Sequence, residues 1–199
     1  LNIPNKNKND KFTIIHNGLL YSVRTPITFM KAIKNIIVTG KINRKKIKVQ
    51  FGWTENLDKW IRIRNELGLE DVVEFLNYMT HEESLKKSSE ADLLLLIVGP
   101  GEKNKSIYTG KVFEYLRLSK TIISLSPKGS IVEELLEDFE RGINIDFDDV
   151  EGIENAIFRM YRNWEKEVNQ DLNITDDIKK YERKSLTYRL SKVFDRILK

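Results

Sequence analysis

Cysteine is absent from this 199-residue chain. Disulfide stapling, a thiolate nucleophile and a cysteine-ligated zinc are therefore excluded, and a reducing cytoplasm is compatible with the usage without being required by it. Histidine is nearly absent as well. His16 and His81 are far from the i, i+4 spacing of a helical zinc-hydrolase motif. Proline (4 residues) is scarce and glycine (10 residues) moderate, which removes collagen-like and low-complexity readings. The longest apolar run, Leu93 to Val98, has six residues, whereas a bilayer crossing takes about 20. The first residue is Leu and no cleavable signal pattern follows it. We read the chain as part of a longer product.

What is present suits a folded α/β domain. Hydrophobic residues make up 40% and charged residues 32%, enough apolar material for a core and too much for general disorder. The net charge of +4 is unevenly placed, because residues 1–60 carry 12 Lys/Arg against 3 Asp/Glu. That asymmetry fits either a phosphate-bearing or anionic-lipid partner or a solvated lysine-rich surface. No nucleic-acid reading motif accompanies it, so no nucleic-acid partner is expected.

The Asn/Lys-rich residues 1–11 read as a linker or frayed terminus. Strand and helix signals then alternate. Strands are expected at Phe12–His16, around Ile47–Phe51, at Val72–Leu76, Leu93–Val98, Thr121–Leu125 and Gly142–Ile145. Helical spacing follows Pro26, runs through Leu57–Leu67, and recurs at His81–Ser89, Val112–Leu118 and residues 150–164. Thr80 and Glu83 stand at capping-box spacing. The wholly aliphatic Leu93–Val98 is what a parallel strand covered on both faces requires. This βαβα order predicts a doubly wound, Rossmann-like parallel sheet with its ligand crevice at the strand carboxyl ends.

The sharpest local signal is the stretch from Ser106 to Lys120. Thr109 and Gly110 can open a helix whose free N–H groups face an anion, with Lys111 adding charge and Glu114 offering an acceptor for sugar hydroxyls. An exposed i,i+3 ion pair between Lys111 and Glu114 is the competing reading. Asn17-Gly18 after the first strand permits close approach of a ligand or simply a tight turn. Arg24 follows as a phosphate clamp or a surface arginine. Tyr78-Met79 can wall a nucleobase or pack as an ordinary turn. His16 reads as a strand-end histidine rather than a catalytic base. Trp53, Trp60 and Tyr108 are as able to pack as to bind.

Four stretches carry a likeness in their order and spacing: IIHNGLLYSVRTPITFMKAI, the Phe51-Gly52 strand end, VVEFLNYMTHEESLKKSSEADLLLLI and TGKVFEYLRLSKTIISLSPKGS. From Phe12 to about Trp164 the chain resembles the C-terminal, nucleotide-sugar-binding domain of GT-B glycosyltransferases. The resemblance is to the large retaining family of bacterial cell-surface glycan enzymes. It implies a donor-binding domain at 12–164 and a helical extension at 165–199 that can cross back toward an N-terminal acceptor-binding domain. An amphipathic membrane-surface helix is the competing reading of that extension. The implied function is transfer of a sugar from a UDP-linked donor to a cell-envelope glycan or lipid-linked acceptor. A GT-B-like nucleotide-sugar epimerase and a non-catalytic binding module are the alternatives.

The same resemblance places Gly18 in the loop facing the diphosphate, Arg24 on phosphate, and Tyr78 and Met79 beside the base. Thr109, Gly110 and Lys111 fall at the phosphate-facing helix start. Glu114 matches the second acid of the family's E-x7-E pattern, which holds ribose; Ser106 stands where the first acid belongs, so Glu114 is the carboxylate that remains. Arg24 and Lys111 would stabilise the departing diphosphate, and no catalytic base is identified. No metal or cofactor is implied, the nucleotide sugar being a substrate. The implied location is cytoplasmic, against the inner face of the cell membrane.

Overall fold

The structure, a computed structural model, describes residues 9–21, 23–118, 120–168 and 176–198. Most of the expected linker, Ser22 and Ser119 of the resembling stretches, and residues 169–175 and 199 of the expected extension lie outside them. Six parallel strands form one sheet: β1 (Phe12–His16), β2 (Ile47–Phe51), β3 (Val73–Phe75), β4 (Leu93–Ile97), β5 (Thr121–Leu125) and β6 (Gly142–Ile145). Their spatial order is β3-β2-β1-β4-β5-β6. The chain winds outward one way from β1 and then returns to wind the other way from β4, so the switch point lies between β1 and β4.

Alternation along each strand explains the two cores. Ile14, Leu93, Leu95, Ile97, Ile123 and Leu125 point to one face, where α1 (Ile27–Val38) and α6 (Val150–Glu165) supply Phe29, Ile33, Ile36, Ile153 and Ile157. Ile15, Leu94, Leu96 and Ile122 point to the other, toward α4 (Gly110–Leu116) and α5 (Ile131–Asp138) through Val112, Tyr115, Leu135 and Leu136. Burial on both faces is what the aliphatic run of β4 signalled.

Two further helices, α2 (Leu57–Glu66) and α3 (His81–Glu90), complete the crossovers. The Thr80–Glu83 capping box forms with both of its reciprocal bonds. Pro26 stands at the N-cap of α1 rather than within its first turn. Helix α5 is an element the periodicity reading passed over. Its signal was nevertheless present, since the Ser130 hydroxyl accepts from the Glu133 N–H ahead of Val132, Leu135 and Leu136.

Beyond α6, α7 (Arg183–Ile197) has no buried residue. Its apolar side chains Leu186, Leu190, Val193, Phe194 and Ile197, and Leu198 just beyond it, are exposed. Among the described residues, no helix is long and apolar enough to cross a membrane.

Candidate functional site

The loops at the carboxyl ends of β1, β2 and β3 enclose a cleft of about 200 Å³ lined by Asn17, Gly18, Gly52, Trp53, Tyr78, Met79, Ser84 and Lys111 among others. Parallel strands bring these loops to one edge of the sheet, although the sequence separates them by dozens of residues. Six of the residues singled out from sequence, Asn17, Gly18, Trp53, Tyr78, Met79 and Lys111, therefore meet around one space. Glu114 joins through Lys111, whose Nζ donates to Glu114 Oε2 at 2.7 Å and lies 3.4 Å from Ser84 Oγ. The i,i+3 ion pair is thus formed, with both side chains about a quarter exposed. It does not exhaust either group, because an ammonium has three donors and a carboxylate about four acceptor sites.

Arg24, Thr109 and Gly110 do not line the cleft. Arg24 Nε donates to the Val98 carbonyl at 3.2 Å, and its guanidinium lies 5.3 Å from the centre of the Tyr21 ring. Thr109 is the N-cap residue of α4, but its side chain makes no capping bond, and its buried Oγ1 has no partner among the described residues. Gly110 is exposed, and a Cβ there would meet nothing within 4 Å. Tyr108 stacks on Phe113 with ring centres 5.8 Å apart, and Trp60 is buried.

Sequence reasoning missed the buried polar floor beneath Gly18. Asn17 donates from Nδ2 to the Ser84 carbonyl at 2.8 Å and to Ser88 Oγ at 2.7 Å. Its backbone N–H donates to the Tyr115 hydroxyl at 2.9 Å. The β1 loop is thereby tied to α3 and α4 at once. Burial raises the Tyr115 phenol above its ordinary value, so it remains neutral. Removing that hydroxyl leaves a buried N–H without its partner. Tyr115→Phe is expected to lower stability by about 1–2 kcal/mol in urea unfolding; an unchanged midpoint would mean that the loop finds another acceptor.

His16 is buried, with Nδ1 2.9 Å from the Leu95 carbonyl oxygen. A carbonyl only accepts, so Nδ1 carries the proton and Nε2 holds a lone pair, which has no partner among the described residues. Burial lowers the His16 pKa to about 4, with the charges of Arg24 and Lys111 acting in the same direction. A histidine kept neutral beside a lysine and an arginine leaves an arrangement receptive to an anion.

Gly18 lies so close to this ring that a Cβ would sit 2.7 Å from both Cε1 and Nε2 of His16. The ring is fixed by its bond to Leu95 and has little room to yield. Gly18→Ala should cost about 1–2 kcal/mol of stability through overpacking, with the ring displaced away from residue 18. Urea unfolding and the imidazole NMR signals would check both effects.

No family profile and no curated protein matches the sequence. Solved structures do. A variant of TarM from S. aureus, in complex with fondaparinux, alpha-GlcNAc-glycerol and UDP, aligns with TM-score 0.70 at 14% identity over 98% of this chain and 38% of its own. A glycosyltransferase from Rickettsia africae aligns with TM-score 0.70 at 11% identity, covering 96% of this chain and 49% of its own. HepE from Anabaena, in complex with UDP-glucose, gives TM-score 0.59 at 14% identity over 92% of this chain and 49% of its own.

The fold is that of a GT-B half-domain. This chain spans at most about half the length of these three proteins. A GT-B half of this kind presents its crevice at the strand carboxyl ends, the edge on which the cleft beside Gly18 and Lys111 opens. Among the described residues, no group of three or more His, Asp or Glu side chains is placed to hold a metal ion.

Proposed function

We propose that this chain is the donor-binding half of a retaining glycosyltransferase that takes a sugar from a UDP-linked donor to a cell-envelope glycan or lipid-linked acceptor. The observation that carries the reading is the cleft at the strand carboxyl ends, where a close-approach glycine, a lysine and exposed aromatic residues meet. Gly18 admits the diphosphate, and Lys111 contributes charge to it. Glu114, held 2.7 Å from Lys111, accepts from ribose hydroxyls. Tyr78 and Met79 flank the base. UDP in the aligned TarM complex and UDP-glucose in the HepE complex support a uridine donor.

Charge develops on the departing diphosphate as an oxocarbenium-like centre forms. Lys111, and Arg24 if its guanidinium turns from Val98, stabilise that charge electrostatically. Thr109 and Gly110 supply the helix start on the phosphate side. No base is assigned in this half, and the acceptor is held by an N-terminal α/β domain. The exposed apolar face of α7 is suited to cover by that domain, with a membrane surface as the second candidate.

Titration calorimetry with UDP, a UDP-sugar and pyrophosphate tests the donor site directly. Saturable binding of UDP, tighter than pyrophosphate, is expected. Incubating the full-length product with labelled donor and acceptor then separates three outcomes. Transfer supports the glycosyltransferase, interconversion of the sugar alone points to an epimerase, and binding without turnover leaves a nucleotide-sugar-binding module.

A further inference from the structure

Trp53 lines the cleft, and its setting differs from that of the other two tryptophans. Trp60 is buried and donates from Nε1 to the Glu55 carbonyl at 2.9 Å. Trp164 packs between Phe12 and Tyr161, with ring centres 5.8 and 5.6 Å away. The Trp53 side is 49% exposed, and among the described residues no ring or cation packs on it.

Its backbone, by contrast, is pinned on both sides. The N–H of Gly52 donates to the His16 carbonyl at 2.8 Å, and the buried Thr54 hydroxyl donates to the Leu20 carbonyl at 3.1 Å. A Cβ on Gly52 would come within 3.1 Å of Asn17 Oδ1, so the β2 loop lies tightly on the β1 loop. The chain thus holds an indole at a fixed place and leaves it in water. That place is the wall of the cleft lined by Lys111, where Tyr78, 77% exposed and without a ring partner among the described residues, is also found.

A flat π-face and an ammonium on one cleft suit a ligand that joins an aromatic ring to an anion. We propose that Trp53 is the stacking platform for the nucleobase and, with Tyr78, sets the preference of the site for nucleotides over simple phosphates. This inference rests on the donor-site reading above. Stacking is tolerant of base identity because every base presents a π-face, so Trp53 contributes affinity for a base as such.

The test uses Trp53→Ala and Trp53→Phe, titrated by calorimetry with UDP and with pyrophosphate. Trp53→Ala should weaken UDP by roughly 5- to 100-fold, the range for loss of one base–aromatic stack, and leave pyrophosphate unchanged. Trp53→Phe should retain most of the affinity. UDP should also quench the tryptophan emission of the unmodified chain and leave that of Trp53→Phe unchanged, since Trp53 is the exposed indole. An unaltered UDP affinity in Trp53→Ala, alongside UDP binding by the unmodified chain, overturns the stacking role and leaves the donor site standing. Equal losses for UDP and pyrophosphate also overturn it, because the effect would then be on the loop rather than on the base. Failure of the unmodified chain to bind either probe overturns the donor-site reading and this inference together.

Discussion

Between pH 7 and pH 5 the folded chain should lose about 2 kcal/mol of stability through His16 alone, and roughly 3 kcal/mol once the pH reaches its native pKa. In the unfolded chain His16 takes a proton near its ordinary value of 6.5, whereas the folded site refuses one until about pH 4. Across that window the unfolded state binds more protons, so stability is complete above 6.5 and declines as the pH falls toward 4. The main cause is burial, and the charges of Arg24 and Lys111 act in the same direction. A proton on Nε2 would need an acceptor where the ring meets Gly18, and Nδ1 is already committed to Leu95. Carboxylates whose pKa values are lowered by partners, Asp71 by Arg44 and Glu74 by Lys48, release their share of stability below their ordinary values of 3.8 and 4.5. The upper part of the window therefore isolates the histidine. Urea unfolding at pH 7, 6 and 5 should show a steep loss in the unmodified chain and a shallower one in His16→Gln, which keeps a donor for Leu95 without titrating. Equal slopes would assign the acid sensitivity elsewhere.

The sheet was legible because its signals are local. An aliphatic run such as Leu93–Ile97 and the alternation in Ile47–Phe51 each specify a strand without reference to the rest of the chain. The capping box at Thr80 was legible for the same reason. Helix α5 was overlooked because its eight residues follow a Ser-Pro-Lys-Gly loop and offer barely two turns of periodicity. The polar floor of the site was illegible in a different sense. Asn17 acquires its role from Tyr115, 98 residues later, and His16 from Leu95, 79 residues later. No spacing rule links such pairs; only the parallel order that places β1 beside β4 does. Trp53 belongs with them, because a tryptophan after a strand packs or binds according to what the neighbouring loops leave open. For Lys111 and Glu114 the sequence offered an ion pair or a ligand site, and the structure contains the ion pair at the very cleft where a ligand would sit.

Replacing Glu114 separates those two roles, because they differ in which measurement moves. A partly exposed i,i+3 pair contributes only about 0.2–0.5 kcal/mol to folding. Glu114→Ala should accordingly unfold close to the urea midpoint of the unmodified chain. Its effect on UDP should be larger: losing a carboxylate that accepts from ribose hydroxyls costs about 1.5–3 kcal/mol, or roughly one to two decades in affinity. Pyrophosphate carries no ribose, and Glu114→Ala frees the Lys111 ammonium that was donating to the carboxylate. Pyrophosphate affinity should therefore hold or rise while UDP affinity falls. Glu114→Gln keeps one acceptor oxygen and should lie between the two. Arg24→Ala and Lys111→Ala, aimed at phosphate, should instead weaken UDP and pyrophosphate alike. Calorimetry with both ligands on these four variants reads the roles independently. Unchanged UDP affinity in folded Glu114→Ala, where the unmodified chain binds UDP, would reduce Glu114 to the partner of Lys111 and remove it from the donor site.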